Sequence, residues 1–142
     1  MKKKSEVKAF QILHPKRDGS SDNLQLLRVT VTTEHTKLDF GYQAPDYYTR
    51  GGWVTMNPAS YIQIKDSKIK YTLLHASNIP YGPEQLHFNS TNDCLYFSLI
   101  FQAIPPDSAV ISLIEKEKPT DTDFNIYNIR LDAKEKRMEL FG

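Results

Sequence analysis

With 142 residues the chain is about one domain long, and a chain of that size can bury roughly 68–70% of its unfolded surface, so it needs neither metal nor disulfide to fold. Eighteen basic and seventeen acidic side chains give a net charge of +1, which excludes a broad electrostatic attraction to nucleic acid or to an anionic membrane; no run approaches the ~18 apolar residues of a membrane-spanning helix. The hydrophobic share of 39% is ordinary, but eight Tyr and seven Phe weight the composition toward strands, and a partner, protein or glycan, has to be recognised locally.

Met1-Lys2-Lys3-Lys4 has the charge of a secretory signal's start, yet Ser5, Glu6 and Lys8 stand where an apolar region would follow. The stretch reads as a polar N-terminus, residues 1–6. A core is expected over residues 7–131 and a flexible tail over 133–142. As read, the chain carries no export signal, which implies either a cytoplasmic protein or a form whose signal has been removed.

Val7, Ala9-Phe10 and Ile12-Leu13 predict a first strand ending near Pro15, and residues 15–23 (PKRDGSSDN) are a loop by composition. In residues 24–33 (LQLLRVTVTT), Leu27, Val29, Val31 and Thr33 share one face of a strand and Arg28, Thr30 and Thr32 the other. Leu38, Phe40 and Tyr42 then alternate with Lys37, Asp39 and Gly41, so that Glu34-His35 marks either a bulge in one long strand or the turn of a hairpin. Residues 44–52 (APDYYTRGG) break the pattern, Trp53–Met56 restart it, and residues 61–73 read as a hairpin around Asp66-Ser67-Lys68.

Residues 94–115 (CLYFSLIFQAIPPDSAVISLIE) are the most strongly patterned part of the chain. Leu95, Phe97, Leu99 and Phe101 form a core face, with Tyr96, Ser98 and Gln102 in the opposite phase. Pro105-Pro106 cannot donate ladder hydrogen bonds and make an extended corner before the run 110–114. Phe124, Ile126, Ile129 and Leu131 predict a last strand with a phase shift at Tyr127-Asn128, and only residues 133–142 have helical propensity. The result is a single all-β domain spanning 1–142, a sandwich of about eight or nine short antiparallel strands with at most a short C-terminal helix.

Several blocks, among them Trp53-Val54, Ser60-Tyr61-Ile62, Lys70-Tyr71 with Leu73 and Ala76, Ile79-Pro80, residues 97–101 (FSLIF), Ile104-Pro105, Ile114-Glu115 and Tyr127 with Ile129 and Leu131, occur in an order that resembles an immunoglobulin-like domain of Bacteroidetes proteins. The likeness spans residues 24–131. It implies an immunoglobulin-like sandwich in a lipoprotein or beside a thioredoxin-like module, at the periplasm or outer membrane surface, and supplies no catalytic residue set. Asn78 and Asn128 stand where that pattern has glycine; Asn is the residue best able to replace glycine at positive φ.

Nothing in the chain composes a catalytic, cofactor or metal site. His14, His35, His75 and His87 lack ligand spacing, and the lone Cys94 reads as a packed thiol at the start of a strand. Asp121, Asp123 and Asn125 alternate oxygen donors without the glycine and glutamate of a calcium loop. The candidate binding surface is Tyr42, Tyr47, Tyr48 and Tyr81, with aromatic rings carried on or beside glycine- and proline-rich loops. The expected function is a non-enzymatic interaction or accessory module; the alternatives are a carbohydrate-binding module using that tyrosine loop, and a hydrolase or metal-dependent enzyme.

Overall fold

The computed structural model describes residues 9–19, 24–43, 53–54, 56–82, 86–87, 94–118, 124–131 and 137–139, of which 53–54, 86–87 and 137–139 are described as backbone. They form twelve strands: β1 (Phe10–Leu13), β2 (Asp18–Gly19), β3 (Leu24–Val31), β4 (His35–Gln43), β5 (Trp53–Val54), β6 (Tyr61–Ile64), β7 (Lys70–Ser77), β8 (Leu86–His87), β9 (Cys94–Gln102), β10 (Val110–Ile114), β11 (Ile126–Arg130) and β12 (Arg137–Glu139). Eight of them are four residues or longer, every strand pair is antiparallel, and among the described residues there is no helix and so none that could cross a membrane.

Ten strands make one ladder in the order β12-β1-β3-β4-β9-β7-β6-β10-β11-β2, with β5-β8 a separate ribbon. Chain length forces this sheet to curl. β1 and β2 are eight inter-strand steps apart in the order, about 38 Å in a flat sheet at ~4.8 Å per step, yet Leu13 and Asp18 are five residues apart and can span at most ~18 Å. The short connection is tied on both sides: the His14 amide donates to the Leu27 carbonyl (2.9 Å) and the Arg130 amide to the Lys16 carbonyl (2.9 Å). The product is a curled half-barrel whose two halves face each other.

The two halves meet in β7. Residues 70–72 pair with β6, residues 73–77 pair with β9, and the register shifts between Leu73 and His75. The expected sandwich of two sheets is therefore one continuous ladder at this corner, a strand passing from one layer to the next through a bulge. The proline corner makes the matching crossover, because β9 pairs with β4 and β7 while β10 pairs with β6 and β11. Thr36 holds that corner: its hydroxyl donates to the Gln102 carbonyl (3.2 Å) and accepts from the Ile104 amide (3.3 Å).

Between the halves lies one apolar core. Phe97 stacks on Phe40 with ring centroids 5.0 Å apart and on Phe124 at 6.0 Å, and Val29, Leu38, Leu99, Phe101, Ile111, Leu113 and Ile129 are fully buried around them. At one end Glu115 is buried and ties three segments together. Its carboxylate accepts from the Phe124 amide (2.6 Å) and the Asn57 amide (3.0 Å), while Asn57 Nδ2 donates to the Glu115 carbonyl (2.8 Å).

Most sequence expectations map directly. Glu34-His35 lies in the turn of a β3–β4 hairpin, with Val31 opposite Thr36, and β6–β7 is the expected hairpin, with Asp66 at φ 66° in its turn. Asn78 (φ 69°) and Asn128 (φ 54°) both adopt the left-handed conformation, which Asn tolerates better than other non-glycine residues. Three expectations are corrected. Residues 137–139 form strand β12 on β1 instead of a helix or a loose tail, since so short a helix is marginal and the β1 edge offers unpaired backbone groups. Cys94 is exposed, because the phase that buries Leu95, Phe97 and Leu99 turns residue 94 outward. In β3, a register shift between Leu26 and Arg28 puts Leu24 and Leu26 inside with Val29 and Val31, leaving Leu27 only half-buried.

Candidate functional site

The outer face of the β1-β3-β4-β9-β7 half is ordered by the register into transverse rows. One row runs Leu13, Arg28, Asp39, Ser98, Ser77, and the row beside it places Gln25, Gly41 and Tyr96 side by side. Over these rows lies an open groove of about 440 Å³, a volume in the range of small-ligand sites, lined among others by Leu13, His14, Leu27, Arg28, Asp39, Asn78, Tyr96 and Ser98.

Tyr96 dominates it. The residue is 68% exposed, the largest value among the exposed bulky apolar side chains of the described residues. Its ring lies over the opposite residue on β4: Cε1 and Cδ1 stand 3.2 and 3.4 Å from where a Cβ on Gly41 would be, and Leu27 Cδ1 stands 3.6 Å from the same point. A Cβ at position 41 would press the ring outward by a few tenths of an ångström, so glycine lets Tyr96 settle against Gly41 and Leu27 while most of the residue meets solvent. Asn78 fixes the strand beneath it by donating its amide to the Tyr96 carbonyl (2.7 Å).

One row away stands a polar cluster. Ser98 Oγ donates to Asp39 Oδ1 (2.6 Å), Arg28 Nε donates to Asp39 Oδ2 (2.9 Å), and Lys37 Nζ lies 3.8 Å from Oδ1. The Asp39 side chain is 14% exposed and that of Arg28 41%, so the pair is half-desolvated and keeps its outer donors available. Two residues along a strand separate Tyr96 from Ser98, which sets the aromatic ring and the polar row ~7 Å apart.

Of the expected tyrosine surface, Tyr47 and Tyr48 lie outside the described residues. Tyr42 is a correction: it is 9% exposed and packs on Phe124 at 5.4 Å, inside by the same alternation that buries Leu38 and Phe40. Tyr81 is 36% exposed, pairs through its backbone with Met56 in a parallel bridge, and does not line the groove. The side chains of Trp53 and His87 also lie outside the described residues. His14 lines the groove, His75 is exposed and His35 half-buried. Among the described residues no group of three or more His, Cys, Asp or Glu is placed to hold a metal. Asp121 and Asp123 are outside the described residues, and Asn125 is taken up internally: Oδ1 accepts from the Glu115 and Lys116 amides and Nδ2 donates to the Lys116 carbonyl and the Tyr127 hydroxyl.

Sequence reasoning passed over Tyr96 and Gly41, although the alternation had set both on the outer phase. An aromatic residue on the solvent phase of one strand and a glycine on that of another was the available signal; the register that makes them neighbours was not. Compared with known proteins, the chain matches no family, no curated protein and no solved structure.

Proposed function

We propose that the protein is a non-enzymatic interaction or accessory module, an immunoglobulin-like domain of a Bacteroidetes cell envelope, and that it engages its partner through the outer face around Tyr96. The observation that carries this reading is the exposure of Tyr96. A large aromatic ring held open above a glycine adds little to a folded monomer, whereas aromatic anchors are what binding surfaces concentrate. The family and the envelope setting rest on the ordered sequence blocks between residues 24 and 131. The non-enzymatic part is supported by Ser98, whose hydroxyl donates to a carboxylate that Arg28 also holds, so the base beside it among the described residues is already ion-paired.

Site-specific photo-crosslinking in cells of the native host tests the reading. A benzophenone side chain at position 96 is expected to give discrete adducts of defined mass, and the same group at Ile69 or Leu74, which are also exposed but do not line the groove, is not. Equal yields at the three positions, or no adduct at 96 together with no ligand bound through that face, would overturn it.

A further inference from the structure

We infer that the groove binds a neutral carbohydrate, with one pyranose ring stacked on Tyr96 and its hydroxyl edge hydrogen-bonded to the Arg28–Asp39 pair. The inference rests on the proposed binding face and names its ligand. Three features of the groove select that chemistry.

The first is charge. The lining holds one guanidinium and one carboxylate, already paired at 2.9 Å, and Lys37 Nζ stands 3.8 Å from the same carboxylate, so a cation finds its acceptor already neutralised, and an anion is the competing occupant that heparin tests. A neutral ligand with several hydroxyls meets donors on Arg28 and acceptor lone pairs on Asp39 without a net desolvated charge. The second is the backbone. β4 is paired on both sides by β3 and β9, and β9 by β4 and β7, so the strands under the groove have no open edge for an extended peptide to join. Recognition here falls to side chains alone. The third is shape. The Cδ1–Cε1 side of the Tyr96 ring stands beside Gly41 and the residue is 68% exposed, so its aromatic surface is open to the C–H face of a pyranose, and the polar row ~7 Å away is at the distance of that sugar's hydroxyls or of the next residue in the glycan.

Affinity gel electrophoresis of the full chain through soluble neutral polysaccharides (xylan, galactomannan, mixed-linkage β-glucan, dextran, yeast mannan) and through heparin tests the inference. At least one neutral polysaccharide is expected to retard the wild-type chain, with Kd rising roughly 10- to 30-fold in Tyr96→Ala, the scale of losing one aromatic anchor. Tyr96→Phe should stay within about threefold of wild type, since the stacking face is kept, and far-ultraviolet circular dichroism and thermal melts should show each variant folded. Retardation by heparin alone, retardation unchanged in Tyr96→Ala, or no retardation by any of the five neutral polysaccharides would overturn the sugar assignment. Protein adducts at position 96 in the crosslinking experiment without glycan binding would leave the module reading standing and remove only the sugar; the absence of both would remove both.

Discussion

Glu115→Ala tests whether a single buried carboxylate holds the end of the half-barrel together. Glu115 is 6% exposed, and its oxygens accept from the amides of Phe124 at 2.6 Å and Asn57 at 3.0 Å, so truncation leaves at least two backbone donors without that acceptor. A buried donor left unsatisfied costs about 1–3 kcal/mol, and bonds to an ionised acceptor lie at the upper end of that range. Allowing for water that enters the space, the loss should be about 3–4 kcal/mol, a large share of the ~5–15 kcal/mol that holds a domain of this size. Glu115→Gln keeps one acceptor oxygen and presents an NH₂ to the second amide, so about half of that loss is expected. Equilibrium urea unfolding followed by tyrosine and tryptophan fluorescence measures both, with the m-value checked for constancy. A Glu115→Ala variant within 1 kcal/mol of wild type would refute the role given to this carboxylate.

Asn128 accepts its left-handed backbone at little cost, so Asn128→Gly should leave stability within about 0.5 kcal/mol, whereas Asn128→Ala should lose about 1 kcal/mol; thermal melts of the three proteins decide it. Tyr96→Ala removes a cross-strand contact over Gly41 at an exposed site, and its cost should not exceed about 1 kcal/mol by urea unfolding; a larger loss would make Tyr96 a structural residue and not a binding one. Lys70 Nζ donates to Glu117 at 2.9 Å, which holds the Glu117 carboxyl below the usual glutamate range and raises the Lys70 ammonium above the usual lysine range. The Glu117 contribution is then in place above the ordinary glutamate range and is lost as the pH falls through its depressed value. That of Lys70 is in place below the ordinary lysine range and is lost as the pH rises through its raised value. Carbon-detected titration should find the Glu117 carboxyl low in the wild type and raised toward the ordinary range in Lys70→Met, where only the Tyr61 hydroxyl still holds it down; both the ammonium and the carboxylate are open to solvent, and 1 M salt should shrink the shift.

Local alternation carried the individual strands. Leu95, Phe97, Leu99 and Phe101 repeat at period two with prolines beyond them, and burial of one face is enough to make such a run a strand. The two Asn positions were legible for a similar reason, since a left-handed backbone needs a residue that tolerates it. What could not be read were the consequences of pairing. The shift at Leu26/Arg28 depends on how β4 sits beside β3, and nothing within LLRVTV marks it. The extended state of residues 137–139 depends on a free β1 edge more than a hundred residues earlier, which overrides a weak local preference for helix. The curl of the sheet follows from β1 and β2 being joined by a handful of residues while lying near opposite ends of the order, a fact that exists only once the order is known. The same holds for the binding face: Tyr96, Gly41, Asp39 and Arg28 are up to 68 positions apart and become neighbours through two registers.

The central claim, that this outer face is where the protein binds, is tested most directly by amide chemical-shift mapping of the isotopically labelled chain with whichever of the five neutral polysaccharides retards it most, used as short soluble oligosaccharides. Perturbations confined to β3, β4 and β9 around Leu27, Arg28, Asp39, Gly41, Tyr96 and Ser98 are predicted, and their loss in Tyr96→Ala. Shifts centred instead on Tyr81 and the Met56 bridge, or no shifts at saturating oligosaccharide, would contradict it.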